Sequence, residues 1–218
     1  MSFTTVIFDM DGLMIDSEPL WNDASFEVFK GYGINSDKKL FSETTGLRTR
    51  EFLKHWFDHF KLDTEYLLSA EEKIIDLMKQ KVLQSGKVQP GLSHILNFFI
   101  ERKFKIGLAS SSPMSLIKIT IDYLGVGKAF SAFSSAADLE YGKPHPAVYM
   151  DCAKKLNAEM SECLAFEDSF NGLIAAKAAR MKCVVVPAAA QFYDPVWNAA
   201  DLKIASLQNF NDLLMSTL

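Results

Sequence analysis

Asp9, Asp11, Ser110, Lys143, Glu167 and Asp168 could share one reaction centre. Asp9 and Asp11 stand two positions apart directly after the apolar run Val6-Ile7-Phe8. Ser110 follows Lys105-Ile106-Gly107-Leu108-Ala109, Lys143 lies in Gly142-Lys143-Pro144-His145-Pro146, and Glu167-Asp168 follow Cys163-Leu164-Ala165-Phe166. Carboxylates gathered in one cleft repel each other and resist ionisation. A hard divalent cation with oxygen ligands removes that conflict, and Mg²⁺ is the expected choice. A phosphate monoester adds negative charge that the cation and Lys143 would neutralise. An ionised Asp can attack phosphorus to form an aspartyl-phosphate. A second Asp two residues on can protonate the leaving oxygen and then take a proton from the water that cleaves the intermediate.

This chemistry requires those residues to lie at the ends of adjacent strands. Val6-Ile7-Phe8 reads as a fully buried strand, and Gly12 allows a sharp turn after it. From Glu18 to about Gly86 only helix and turn signals occur. Trp21, Ala24, Val28 and Tyr32 recur at helical spacing with Pro19 in a first turn; Phe52, Leu53, Trp56, Phe57 and Phe60 mark a second helix. Ser69-Ala70-Glu71-Glu72 reads as a capping box opening a third, with Ile74, Ile75, Met78 and Val82 on its apolar face. A block of roughly 70 residues without a strand exceeds what a strand-to-strand crossover needs, so a helical domain inserted into an α/β core is expected. After Pro90-Gly91 the pattern alternates. A helix carries Leu92, Ile95, Leu96, Phe99 and Ile100; the strand at 105–109 runs into Ser110-Ser111-Ser112-Pro113, a run of capping residues with proline opening the next helix, which stops at Gly125. Ala132-Phe133-Ser134, Cys163–Phe166, Cys183–Val186 and Leu202–Ala205 read as further strands, with helices between. The expected fold is α/β: a doubly wound parallel sheet with an α-helical cap, the core formed by 1–17 and 88–218 and the cap by 18–87. In such sheets ligands bind at the carboxyl ends of the strands, where the candidate residues fall.

The bulk properties agree with a globular enzyme. The chain has 218 residues, 49% hydrophobic and 23% charged, with net charge −4, which gives no sign of nucleic-acid affinity. A chain of this size buries roughly 70% of its unfolded surface without disulfides. Cys152, Cys163 and Cys183 lack C-x-x-C spacing and read as reduced core thiols of a cytoplasmic protein. No secretory leader and no membrane helix are expected.

Taken singly, each motif has an ordinary reading: exposed loop acids, a serine helix cap, a solvated turn lysine, an acidic helix start. Together and in this order they are specific. The string Asp9-Met10-Asp11-Gly12-Leu13-Met14-Ile15-Asp16-Ser17, followed by Ser110, Lys143 and Glu167-Asp168, resembles the four motifs of the haloacid dehalogenase superfamily in its phosphatase branch. Ile15-Asp16-Ser17-Glu18-Pro19-Leu20-Trp21, with Lys143-Pro144-His145-Pro146 and Glu167-Asp168-Ser169, is most similar to the bacterial 2-deoxyglucose-6-phosphatase and hexitol-phosphate phosphatase group. The resemblance implies Asp9 as nucleophile, Asp11 as general acid/base, Ser110 and the Ser111 backbone on the phosphoryl oxygens, and Lys143 balancing charge. It implies Mg²⁺ on Asp9, Asp168 and the Asp11 main-chain carbonyl, with Glu167 in contact with the ion or one layer behind it. Asp16 and Ser17 would brace the turn. The implied partner is a small phosphorylated metabolite, and a monomer is expected. The alternative is a sugar phosphomutase of the β-phosphoglucomutase type, which shares the motifs but carries a histidine where this chain has Trp21. A dehalogenase is disfavoured by the second Asp, and a receiver-type signalling domain by that Asp and the insertion.

Trp21 and Arg48 are the candidate substrate contacts from the cap. Arg48 follows Thr45-Gly46-Leu47, and its planar fork of donors suits hydroxyls or phosphate. His55 and His59 have a spacing that can hold zinc, but no third ligand suggests itself, so a packing role is expected. The aromatics of the second cap helix read as cap core.

Overall fold

The computed structural model describes residues 3–35, 40–41, 44 and 46–218. Thr45, part of the sequence argument for Arg48, lies outside the described residues. A six-stranded sheet runs in the order β3-β2-β1-β4-β5-β6, with β1 at Thr5–Phe8, β2 at Lys105–Ser110, β3 at Ala132–Ser135, β4 at Cys163–Glu167, β5 at Lys182–Val185 and β6 at Leu202–Lys203. Every pairing is parallel. The chain leaves β1 toward β2 and β3, then returns to the other side of β1 for β4 to β6. That reversal makes the end of β1 the topological switch point, where a crevice opens outside the strand ends.

The sheet is covered on both faces, so its strands are apolar without alternation. Val6, Phe8, Leu108, Leu164, Phe166 and Val184 pack toward α4 (Leu92–Glu101), α5 (Met114–Leu124) and the C-terminal segment around Phe210. Ile7, Ala109, Ala165, Cys183 and Val185 pack toward α6 (Ala147–Lys155) and α7 (Phe170–Ala178). Phe8 is fully buried and stacks on Phe166 with ring centroids 5.1 Å apart. It anchors the strand that carries Asp9; burying such a ring contributes about 1.5–3 kcal/mol.

Between β1 and β2 lie α1 (Glu18–Gly31), α2 (Thr49–Phe60) and α3 (Leu67–Ser85), with no strand among the described residues of 18–87. They share a separate hydrophobic cluster of Leu20, Ala24, Val28, Phe29, Leu53, Trp56, Phe57, Ile74 and Met78, which meets the sheet domain through Ile15 and Leu116. The two chain crossings pair with each other: Asp16 N donates to Lys87 O, Gln89 N donates to Met14 O, and Ile15 bridges Val88 in antiparallel sense.

Three local expectations change. Ser69 does not cap α3: the helix starts two residues earlier, and the Ser69 hydroxyl donates to the Tyr66 carbonyl from inside the first turn. Ile100 is 47% exposed, and Phe98, at 7%, takes the buried position on α4. Pro113 is the N-cap of α5 rather than its first residue, and no serine side chain caps that helix. The serine run is turned toward the switch point instead. The cysteines are free and buried, as expected, and no described helix is long and apolar enough to cross a membrane.

Candidate active site

The carboxyl ends of β1, β2 and β4 meet around Lys143. Register places Phe8 beside both Leu108 and Phe166, so Asp9, Ser110 and Glu167 emerge at neighbouring strand ends. The loop before α6 brings in Lys143 through a cis Lys143–Pro144 peptide. The Lys143 Nζ lies 2.5 Å from Asp9 Oδ1, 2.6 Å from Glu167 Oε1 and 3.1 Å from the Ala109 carbonyl. Burial alone would favour the neutral amine, but Asp9 and Glu167 outweigh it and hold Lys143 protonated, above the ordinary lysine range.

Glu167 is saturated. Its Oε1 also accepts from the Tyr149 hydroxyl, and its Oε2 accepts from the Asp168 amide, the Ser169 amide and the Ser169 hydroxyl at 3.2–3.3 Å. Burial and the neighbouring Glu167 raise the Tyr149 phenol well above its ordinary value, so it stays a donor. Ser169 also caps α7, accepting from the Gly172 amide at 3.1 Å. A Cβ on Gly172 would fall 1.9 Å from Glu167 Oε1, so the carboxylate occupies space that only glycine leaves open. Gly12 acts likewise: its φ is +79°, and a Cβ there would sit 1.8 Å from Asp168 Oδ2.

Oxygens of Asp9, Glu167 and Asp168 lie within 4.8 Å of one another, a grouping that could hold a divalent cation. The donor set fits such an ion. Asp168 Oδ1 is buried with no hydrogen-bond partner among the described residues, a costly state for a carboxylate unless a cation faces it. Burial, with Glu167 and Asp11, pushes the Asp9 carboxyl well above its usual range against the pull of Lys143. Burial, then Asp9 and Glu167, does the same to Asp168. Both shifts express negative charge that Lys143 alone does not neutralise. Within the group, Asp9 and Asp168 retain accepting capacity, whereas the lone pairs of Glu167 are already used.

Asp11 is pinned rather than free. Its Oδ1 accepts from the Ser17 hydroxyl at 2.8 Å and the Trp21 indole at 3.1 Å, and its Oδ2 accepts from the Ser112 hydroxyl at 2.7 Å. Ser17 is the N-cap of α1 by position, yet its side chain makes no cap bond; it braces the turn through Asp11. Ser110 Oγ accepts from the Ser112 amide at 3.0 Å, which leaves its proton for another acceptor. The Ser111 hydroxyl donates to the Gly46 carbonyl across the cleft at 2.8 Å.

The pattern of the family described as haloacid dehalogenase-like hydrolase matches residues 6–186. The chain belongs to this family. Hexitol phosphatase B of Escherichia coli K12 is 38% identical over 202 residues, covering 92% of this chain and 91% of that one. The phosphorylated carbohydrates phosphatase of Thermotoga maritima is 29% identical, covering 80% of each. Among solved structures, a β-phosphoglucomutase from Clostridium difficile superposes with a TM-score of 0.86 over 98% of this chain and 96% of that one; at 22% identity it shares the fold.

On this haloacid dehalogenase-like scaffold, Asp9, Asp11, Ser110, Ser111, Lys143, Asp168 and Trp21 line one cleft between the strand ends and the inserted helices. Arg48 does not line it. Its guanidinium donates to the carbonyls of Ala136 and Leu139 at 3.3 and 2.8 Å and pairs with Glu51. Its two Nη groups tie the insertion to the sheet domain and to Glu51, while its Nε is buried without a partner among the described residues. His55 and His59 pack edge-on against Trp56, with centroids 4.9 and 5.2 Å away. Phe52 belongs both to the cap cluster and to the cleft wall. The sequence argument gives no site role to Ser112, Tyr149 or Gly172. The signal for Ser112 was available: one helix start cannot use every serine of a serine run as its cap.

Proposed function

We propose that the chain is a Mg²⁺-dependent phosphatase that hydrolyses small sugar or sugar-alcohol monophosphates through an aspartyl-phosphate on Asp9. The observation that carries this reading is the buried Lys143 ammonium between Asp9 and Glu167, beside an Asp168 oxygen that lacks a partner. A carboxylate nucleophile beside a fixed positive charge suits attack on a phosphoryl group. The names of the relatives support the substrate class: one acts on hexitol phosphates and another on phosphorylated carbohydrates.

In this reading an Asp9 oxygen attacks phosphorus in line with the leaving oxygen. The Ser110 hydroxyl, the Ser111 backbone and Lys143 hold the equatorial oxygens. Asp11, oriented by Ser17, Trp21 and Ser112, gives its proton to the departing alkoxide. It then takes a proton from the water that attacks the aspartyl-phosphate, returning Asp9 and releasing inorganic phosphate. Mg²⁺, when bound, neutralises charge on the transferring oxygens; Asp9, Asp168 and the main-chain carbonyl of Asp11 would hold it, with Glu167 bracing Lys143 behind them. Residues 18–87 would act as a cap hinged near Ser17 and at Val88-Gln89-Pro90, excluding bulk water when closed. Trp21 would touch substrate at the seam. The free buried thiols support a cytoplasmic location; the protein would act as a monomer with a small phosphorylated metabolite as its partner.

The test is phosphate release from a panel of hexose and hexitol monophosphates with Mg²⁺. Steady release from at least one is expected. No release from any of them, by a protein shown to be folded, would overturn the reading.

A further inference from the structure

The same cleft carries information about the part of the substrate that does not react. This inference rests on the phosphatase reading and narrows it. The leaving oxygen must sit against Asp11, and Asp11 is bonded to Trp21 on α1 at 3.1 Å. The carbon skeleton of the alcohol therefore begins beside Trp21. Glu18, Asn22 and Ser25 also line the cleft. With Trp21 they stand at i, i+3, i+4 and i+7, a single face of α1.

That face is polar where a helix packed against a domain is ordinarily apolar. Ser25 is only 1% exposed and Asn22 is half-buried, and both polar side chains line the cleft. Phe41 and Phe52 line the same cleft. Neutral donors and acceptors together with aromatic rings suit a polyhydroxylated carbon chain, which offers both hydroxyls and C–H bonds. Among the described residues lining the cleft, Lys143 is the one cationic side chain, and it is committed to Asp9 and Glu167. Arg48 is turned onto the Ala136 and Leu139 carbonyls. The exposed Glu18 adds negative charge at the first turn of α1, next to Ser17. Among the described lining residues, a second phosphate or a carboxylate on the substrate would meet no uncommitted positive charge and the like charge of Glu18.

We propose that the α1 face formed by Glu18, Asn22 and Ser25 reads the uncharged hydroxyls of the leaving alcohol, and that Glu18 rejects alcohols carrying a second anion. The enzyme would thereby select monophosphates of neutral polyols against bisphosphates and phospho-carboxylic acids.

The test compares kcat/KM for sorbitol 6-phosphate, p-nitrophenyl phosphate and fructose 1,6-bisphosphate in the wild type and in Asn22→Ala, Ser25→Ala and Glu18→Lys, each checked for an unchanged melting profile. In Asn22→Ala and Ser25→Ala the ratio of sorbitol 6-phosphate to p-nitrophenyl phosphate should fall about tenfold or more, the scale on which a lost substrate hydrogen bond acts. In Glu18→Lys the ratio of bisphosphate to sorbitol 6-phosphate should rise about tenfold. Asn22, on a partly exposed face, decides the matter if Ser25→Ala melts early. Ratios within about twofold of wild type in Asn22→Ala and Glu18→Lys would overturn the inference while leaving the phosphatase reading intact. No turnover of p-nitrophenyl phosphate or sorbitol 6-phosphate by the wild type would overturn both.

Discussion

The indole Nε1 of Trp21 donates to Oδ1 of Asp11 across 3.1 Å, joining the first inserted helix to the carboxylate two residues past Asp9. An indole donates one hydrogen bond and neither accepts a proton nor titrates near neutrality. Trp21 therefore orients Asp11 but cannot share its proton traffic. Trp21→Phe should keep the ring and lose the donor, lowering kcat on alkyl phosphates by about 10–150-fold, the equivalent of one hydrogen bond to a charged group. The same arrangement favours one-way hydrolysis over phosphoryl return. Incubated with Mg²⁺, β-glucose 1-phosphate and a bisphosphate primer, the enzyme should release phosphate without forming glucose 6-phosphate. Glucose 6-phosphate accumulating faster than free phosphate would establish the mutase alternative.

Asp9→Asn removes the carboxylate proposed as nucleophile while keeping its shape. Turnover should fall by about 10³-fold or more, with the fold retained. Wild-type phosphate release by the purified variant would contradict the assignment of the nucleophile.

Chelation should stop activity and Mg²⁺ should restore it. Asp168→Ala deletes the buried oxygen that lacks a protein partner, so the Mg²⁺ concentration giving half-maximal activity should rise by about 10–100-fold. Full activity after exhaustive EDTA treatment would exclude the metal requirement.

Gly172→Ala would place a methyl group 1.9 Å from Glu167 Oε1. Glu167 must then move away from Lys143, or α7 must shift. We expect a loss of about 1–3 kcal/mol of stability and about a 100-fold drop in kcat, since Lys143 loses the group that aims it. Denaturant melts and steady-state kinetics read the two effects separately. Unchanged values in both would refute the crowding argument.

Asp201 supplies a pH-dependent element away from the cleft. It accepts from Lys177 Nζ at 2.5 Å and the Cys183 amide at 2.9 Å, and pairs with Lys182 Nζ at 2.9 Å. Burial tends to raise its pKa, but Lys177, Lys182 and the Cys183 amide outweigh it, and the net shift is downward. A carboxyl with a depressed folded pKa contributes stability that is present above its unfolded value, about 3.9, and is lost as pH falls through the folded value. Asp201→Ala should therefore cost about 1–2 kcal/mol at pH 7. The gap to wild type should close below about pH 4. Urea melts at both pH values test this, and a gap that persists undiminished at pH 3 would count against it.

The amino-acid sequence by itself determined the strand and helix alternation, the parallel sheet and the family. Those follow from local patterns: apolar runs ending in acids, helical spacing from Trp21 to Tyr32, and a strand-free stretch from Glu18 to Gly86. Asp9, Ser110, Lys143 and Glu167-Asp168 were legible because each motif sits at a strand end or in a loop whose place such a sheet dictates. Only the tertiary structure decided how these groups use one another. Glu167 and Asp168 are adjacent in sequence, yet one accepts from Lys143, Tyr149 and Ser169 while the other keeps an oxygen without a partner. Arg48 has the chemistry of a phosphate ligand but turns its Nη1 onto carbonyls 88 and 91 residues away in the chain. Ser112 looked like a helix cap and holds Asp11 instead. Hydrogen-bonding capacity belongs to a residue type, but which partner takes it up depends on contacts between segments far apart in sequence, and no local pattern encodes those.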